Sequence, residues 1–537
     1  MNPRASLSFS ERLRRRTERR RLRALFDAGE RLEAAGLLDE PGRLHAALTA
    51  APAQPLPAPP ELFLREPLGI PLARPQPRAG CGRRLLGVVG ALGAPLLGLA
   101  VWIGRQGWRP RPGSPQPRLW LGAGTGLAHA RAPWARPRGR VAVLAGADLG
   151  QNLLILGGIG SGKTTSVIQP ILLQTLAQGL GGLVFDVKGD FGRAAAALAR
   201  ATGRSLTVIG PGRRSFSLLQ GLTPESAASF LKSALLLGGS PSDPFWIETA
   251  VELCRNALGV LSFLPDRYTL AGLYDYLFRE DVRADCDRRV RAEAAGLSPQ
   301  ALRLLRSYQA YHEGVFTRFD AKVIAGVLAS AAQVLTPFTH PDLVDAFCPS
   351  RGGLTLEPLA TGAVFLVDLP LAVWGLGAKV VYTFLKLRFF QYLQSRPLAD
   401  RARHLLFLCD EYQEIVSANK DGLSDLNFWD KGRAFGVVGV ISAQSVASFY
   451  AALGDRAVTD TLLQNFRQKL CLRTEDLHTI AYFERLLGRR LVRPGRELAL
   501  IPAALMRRLY HRQALAVLSV GGEAVEEVLD LPTVYVD

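Results

Sequence analysis

The chain has 537 residues, 48% of them hydrophobic, which excludes a largely disordered protein and leaves room for roughly three or four domains. Its net charge of +18 is uneven: residues 1–150 carry 24 Lys/Arg against 10 Asp/Glu, and residues 151–537 carry 41 against 37. The six cysteines are scattered without a CxxC pair, which speaks against a zinc site and a disulfide framework.

Residues 1–50 read as a basic helical segment, with arginines crowding its start and apolar residues recurring later at helical spacing. Such a run is a solvated face or a contact for nucleic acid or lipid. Residues 51–84 form a Pro-rich linker. Leu85–Gly104 is uncharged for 20 residues, between Arg83–Arg84 and Arg105. That length spans a bilayer core of about 30 Å, so it is expected to be a transmembrane helix. Both flanks are basic, and a single pass and a re-entrant hairpin stay open. A second Pro/Arg-rich linker is expected over 105–140.

Beyond it, "NLLILG", "GGLVFDVK", "SLTVIG", "GAVFLVDL", "HLLFLCD" and "VVGVISA" are apolar runs of strand length, separated by helical patterns. This alternation predicts an α/β domain with a mostly parallel sheet, over 141–215 and 349–537. The strand signal lapses over 216–348, which reads as an inserted all-helical subdomain.

Gly157–Thr164 fits GxxxxGK[ST] between a strand and a helix. Gly157, Gly158, Gly160, Ser161, Gly162, Lys163, Thr164 and Thr165 are the candidate cradle for the phosphates of ATP. Lys163 would reach the β/γ-phosphates and Thr164 would ligate Mg2+. The strand "HLLFLCD" delivers Asp410, a candidate Mg2+ ligand, and Glu411, a candidate general base. Gln444 ends another strand, where it can sense the γ-phosphate or the attacking water. Arg433 is a candidate for stabilising charge at a neighbouring subunit's γ-phosphate, and by itself is one arginine among many.

The set "GGIGSGKT", "DVKGD", "DPFWIETAVELC", "LCDEYQ" and "GVISAQS" resembles the type IV coupling proteins, the TraD/TraG-like conjugation ATPases, over about residues 120–530. The resemblance implies a RecA-like motor with an inserted helical domain and an N-terminal membrane anchor. It implies a homo-hexamer on the bacterial inner membrane with the motor in the cytoplasm. The implied partners are single-stranded DNA, its relaxase and the components of a type IV secretion channel. Arg433 inherits the arginine-finger role. Asp186, Lys188 and Gly189 match a D-x-K-G element with either a turn or a nucleotide role, and Trp246 and Glu248 match the helical-domain motif. The chain departs from the family in showing one convincing span rather than two. Alternatives are a double-stranded DNA translocase of the FtsK/HerA kind, a protein-effector secretion ATPase and a nucleotide-gated scaffold.

Overall fold

The structure is a computed structural model that describes residues 62–65, 117–128, 141–237, 243–493 and 496–536. The expected N-terminal helical segment (1–50), most of the linker at 51–84 and the membrane span at 85–104 lie outside the described residues.

The strands are β1 (Leu62–Arg65), β2 (Arg118–Gly124), β3 (Val141–Ala145), β4 (Leu153–Leu156), β5 (Gly181–Asp186), β6 (Leu206–Ile209), β7 (Val364–Asp368) and β8 (Leu405–Cys409). They continue with β9 (Val437–Ala443), β10 (Gln468–Cys471), β11 (Arg489–Arg493), β12 (Arg496–Ala499), β13 (Gln513–Val520), β14 (Glu523–Asp530) and β15 (Thr533–Val536). Eleven of them form one sheet in the order β3-β2-β14-β13-β10-β4-β9-β8-β5-β7-β6. From β10 to β6 every pairing is parallel; from β10 outward through β13, β14, β2 and β3 every pairing is antiparallel. β11 pairs with β12, and β1 with β15, as separate antiparallel ribbons.

The parallel strands inside the edge strand β6 are buried on both faces, and alternate residues feed two cores. Leu154, Leu156, Phe185 and Phe407 face one core; Leu153, Ile155, Val184 and Leu408 face the other. Helices α1 (Gln169–Ala177) and α2 (Gly192–Ala201) cover the second core. The first core is covered by a long helix, Leu371–Ser395, and continues into the helical stretch between β6 and β7. That stretch holds α3 (Pro224–Leu235), α4 (Phe245–Leu261), α5 (Leu270–Phe278), α6 (Glu280–Glu293), α7 (Pro299–Gly314), α8 (Ala321–Leu335) and α9 (Pro341–Phe347), so the long helix is α10. Trp246 packs on α8, where a methyl on Gly326 would lie 2.5 Å from its ring. Glu248 pairs with Lys232 at 2.6 Å. Among the described residues one helical stretch, Ala321–Thr339, has the length and apolarity of a membrane span; its Val327, Ala331, Val334 and Leu335 are buried in the first core.

Two stretches read as linker carry strands: Leu62–Arg65 of the first pairs with β15, and Arg118–Gly124 of the second joins the main sheet. In the second, Leu119, Leu121 and Ala123 are buried, and Gln174 of α1 bonds both the N–H and the C=O of Trp120 (2.8 and 3.1 Å). The neighbouring prolines and arginines masked this short alternation.

Candidate nucleotide site

The glycine loop leaves β4 at Leu156 and enters a wide helical turn, Thr164–Ile168, which continues as α1. Gly160 and Gly162 have φ of +68° and +91°, where any side chain is strained, so the loop curls back only with glycine at these points. The N–H of Gly158 donates to the Arg473 carbonyl at 2.9 Å, tying the loop to the end of β10. Gly157, Gly158, Gly160, Ser161, Gly162, Lys163, Thr164 and Thr165 thus share one turn at the C-terminal edge of the sheet.

Lys163 is buried and donates to the Gly157 carbonyl at 2.7 Å. Burial pushes its ammonium below the ordinary lysine range, while Asp410 and Glu411 pull it back up. The Ser161 hydroxyl is buried without a hydrogen-bond partner. A half-compensated lysine, an orphaned hydroxyl and a helix start fit an oxyanion in this cradle.

Thr164 Oγ1 donates to Asp410 Oδ2 at 3.2 Å, across 246 residues of sequence. Asp410 follows β8 directly and also accepts from the Glu411 N–H (3.0 Å) and from the Ser442 hydroxyl on β9. A hydroxyl and a carboxylate side by side are hard oxygen donors of the kind that bind Mg2+ through one or two protein groups, leaving other positions to phosphate and water. Among the described residues no cluster of three or more His, Cys, Asp or Glu could hold a metal ion.

Glu411 adopts φ +55° and ψ +45°, a left-handed backbone that is uncommon for a residue other than glycine. Its carboxylate is buried between Lys188, with which it forms an ion pair, and Gln413 Nε2, which donates at 2.6 Å. Burial pushes the Glu411 carboxyl up, but Lys188 and Gln413 together hold it below the usual range. Lys188 belongs to the D-x-K-G element, and the other parts of that element shape a turn. Asp186 accepts from the N–H groups of Gly189 (2.8 Å), Phe191 (3.0 Å) and Gly192 (2.7 Å). Burial raises the Asp186 carboxyl to about 6 against the pull of those donors. Asp186 therefore serves the turn, and Lys188 alone of that pair reaches the acids.

Gln444 follows Ala443, which is in register with Leu156, so it stands beside the start of the loop. It lines a cleft of about 700 Å3 with Gln413, Glu414, Lys379 and Leu376. Arg433 is elsewhere. It precedes β9 while Gln444 follows it, and the seven residues of that strand set them roughly 20 Å apart. Its side chain packs on Gly150, where a methyl would lie 3.1 Å from Arg433 Cγ, at the opposite edge of the sheet from the loop. The structure brings Lys163, Thr164, Asp410, Glu411 and Gln444 to one edge and leaves Arg433 at the other. Sequence reasoning missed Ser442 and Gln413, polar residues within two positions of Gln444 and Glu411 whose partners are visible only in space.

Residues 381–501 match the family model of the type IV secretion-system coupling protein DNA-binding domain. This segment is similar to that coupling-protein domain. It holds Asp410, Glu411, Arg433 and Gln444, and begins inside α10, after the phosphate loop. The fold is similar to the unbound bacterial conjugative coupling protein TrwBdeltaN70 at TM-score 0.55, 15% identity, and coverage of 77% of this chain and 92% of that one. Two structures of the plasmid coupling protein TrwB are equally similar. The complex with the non-hydrolysable ATP analogue ADPNP gives 0.54, 16% identity, and 78% and 96% coverage. The complex with ADP and Mg2+ gives 0.54, 16% identity, and 78% and 95% coverage. No curated protein matches the sequence.

Proposed function

We propose that this protein is a coupling ATPase of conjugative type IV secretion, which hydrolyses ATP with Mg2+ and moves DNA toward a secretion channel. The observation that carries the reading is the Thr164–Asp410 hydrogen bond, because it joins the phosphate loop to the acidic pair at one point. The bound ion would be held by Thr164 and Asp410 and would supply charge stabilisation on the phosphates. Lys163 leaves the loop carbonyls for the β/γ-phosphates. Glu411 orients water and accepts its proton, and Gln444 reads the occupant from the end of β9.

Arg433 is too far from its own loop to reach its own nucleotide, which leaves it free for a role across a subunit interface; the homo-hexameric ring is carried by the family resemblance. In this reading residues 216–348 are an inserted helical domain, and the membrane anchor lies ahead of the motor, at the bacterial inner membrane. The DNA-binding-domain match supports DNA as the cargo; single-strandedness, relaxase and channel contacts are carried by the family resemblance.

The test is ATPase rate with and without single-stranded DNA. Stimulation by single strands, absent in Glu411→Gln, supports the reading. Preference for duplex DNA favours an FtsK/HerA-like translocase, and indifference to nucleic acid favours a protein-secretion ATPase.

A further inference from the structure

The acids at the γ-phosphate end of the site follow β8, two strands from β4 on one side of the loop. A triphosphate cradled by a glycine loop runs from γ, beside Lys163 and the acids, to α, beside the first helical turn. Its sugar and base must therefore leave over the opposite flank, above β10 and β13. Two strand spacings on that side amount to about 10 Å, the reach from the α-phosphate to a base.

That flank carries a built shelf. β13 is antiparallel to β10, so the residues just before Gln513 arrive at the same edge as the phosphate loop. His511 packs on the loop: a methyl on Gly162 would lie 3.1 Å from His511 Nε2 and 3.3 Å from Ser166 Oγ. The turn is pinned at both ends. Tyr510 N–H donates to Gln513 Oε1 at 3.3 Å, and Gln513 N–H to the Tyr510 carbonyl at 2.9 Å. Leu531 N–H donates to the Arg512 carbonyl at 2.8 Å, and Arg512 itself takes φ +73°. Leu509 and Met506 are buried beneath it. Yet Tyr510, on this fixed turn, is 77% exposed. A rigid turn that holds a large aromatic ring in solvent, one residue from a side chain touching the phosphate loop, contributes little to the core.

Residues 473–512 contain nine Arg and four Asp/Glu, so this stretch accounts for the whole cationic excess of residues 151–537. Arg473, whose carbonyl holds the loop, is exposed on the same flank.

We propose that Tyr510 and His511 form the base-side subsite of the nucleotide site, Tyr510 stacking on the purine and His511 lying against the ribose. The inference rests on the nucleotide reading above. Stacking uses the face of the base and ignores its edge, so the subsite takes adenine and guanine alike and holds the smaller pyrimidines less well.

The test uses the full chain and three probes: ATP, CTP and inorganic tripolyphosphate, which has no base. Tyr510→Ala is expected to raise the Kd for ATP about tenfold, to narrow the preference for ATP over CTP and to leave tripolyphosphate binding unchanged. Tyr510→Phe is expected to restore the wild-type values, and Lys163→Ala to weaken all three probes. Tyr510→Ala that leaves ATP binding unchanged, or weakens tripolyphosphate equally, overturns the subsite while the phosphate loop stands. Wild-type protein that binds neither ATP nor tripolyphosphate overturns the nucleotide reading and this subsite together.

Discussion

Lys188 and Glu411 form an ion pair between the ends of β5 and β8, neighbouring strands of the parallel sheet. The lysine is half exposed and the glutamate is buried, so the lysine reaches inward to hold the carboxylate proposed as the general base. We expect Lys188→Ala to lower kcat roughly tenfold with little change in ATP affinity, the size of a misaligned general base. Lys188→Arg should recover much of the loss. In a Glu411→Gln background the alanine substitution should add nothing. A full additional loss there would mean that Lys188 acts on something other than Glu411.

The 3.2 Å contact between Thr164 and Asp410 sets a second expectation. Thr164→Ser keeps the hydroxyl and should keep Mg2+-dependent hydrolysis within a fewfold. Thr164→Ala removes one oxygen donor and leaves Asp410 with the Ser442 hydroxyl and the Glu411 N–H. Hydrolysis should fall about a hundredfold, a loss of roughly 3 kcal/mol in transition-state stabilisation. Titration of the rate with Mg2+ checks the assignment, because the alanine variant should demand more of the ion and the serine variant should not.

Arg433 and Gln444 bracket β9 from opposite edges, and this geometry makes the arginine prediction specific. Arg433→Ala should abolish hydrolysis in the homo-oligomer. Mixed with inactive Lys163→Ala subunits, it should regain part of the activity, since some interfaces then join an intact loop to an intact arginine. No recovery over a range of mixing ratios would remove the arginine from the nucleotide site and leave it a surface cation packed on Gly150.

The parts of this architecture that depend on local pattern were legible from the residues alone. The phosphate loop declares itself because only glycine tolerates its backbone, and the six apolar runs became β4 to β9 because strands buried on both faces need little else. β10 escaped notice for the opposite reason. Its "QKLC" carries two polar residues in the interior. Gln468 is tolerated there because it donates to Asp148 O and Ser519 O and accepts from Ser519 N–H, all remote in sequence. The Tyr510 turn was equally hidden, since its meaning lies in β13 returning antiparallel to the loop edge.

Lys386 of α10 and Asp425 are both fully buried and pair at 2.6 Å. Asp425 also accepts from Ser417 N–H (2.7 Å), Trp429 Nε1 (3.2 Å) and the Tyr412 hydroxyl. The network pins the segment that leads from Glu411 toward Arg433. Burial pushes the Lys386 ammonium down and Asp425 pulls it back, so removing either partner strands a charge. Lys386→Met should cost about 3–5 kcal/mol, and Lys386→Met with Asp425→Asn should cost less than the two single changes added together. Urea midpoints of the four proteins decide it; simple additivity would mean that the pair is not coupled.

Lys469 makes a different kind of buried lysine, because it has no acid beside it. On β10 it donates only to the Phe466 carbonyl, and burial, aided by Arg467, pushes its ammonium down to about 8. Below pH 8 the lysine is charged in both folded and unfolded chains, and the full burial cost is present. Between about 8 and 10.5 the folded chain gives up the proton while the unfolded chain keeps it, so stability rises with pH. The drop from 10.5 to about 8 corresponds to roughly 3 kcal/mol at most. Lys469→Met should therefore unfold at a higher temperature than wild type at pH 7, and the advantage should shrink steadily by pH 10. An advantage that stays constant across that range would show that Lys469 keeps its proton in the folded protein.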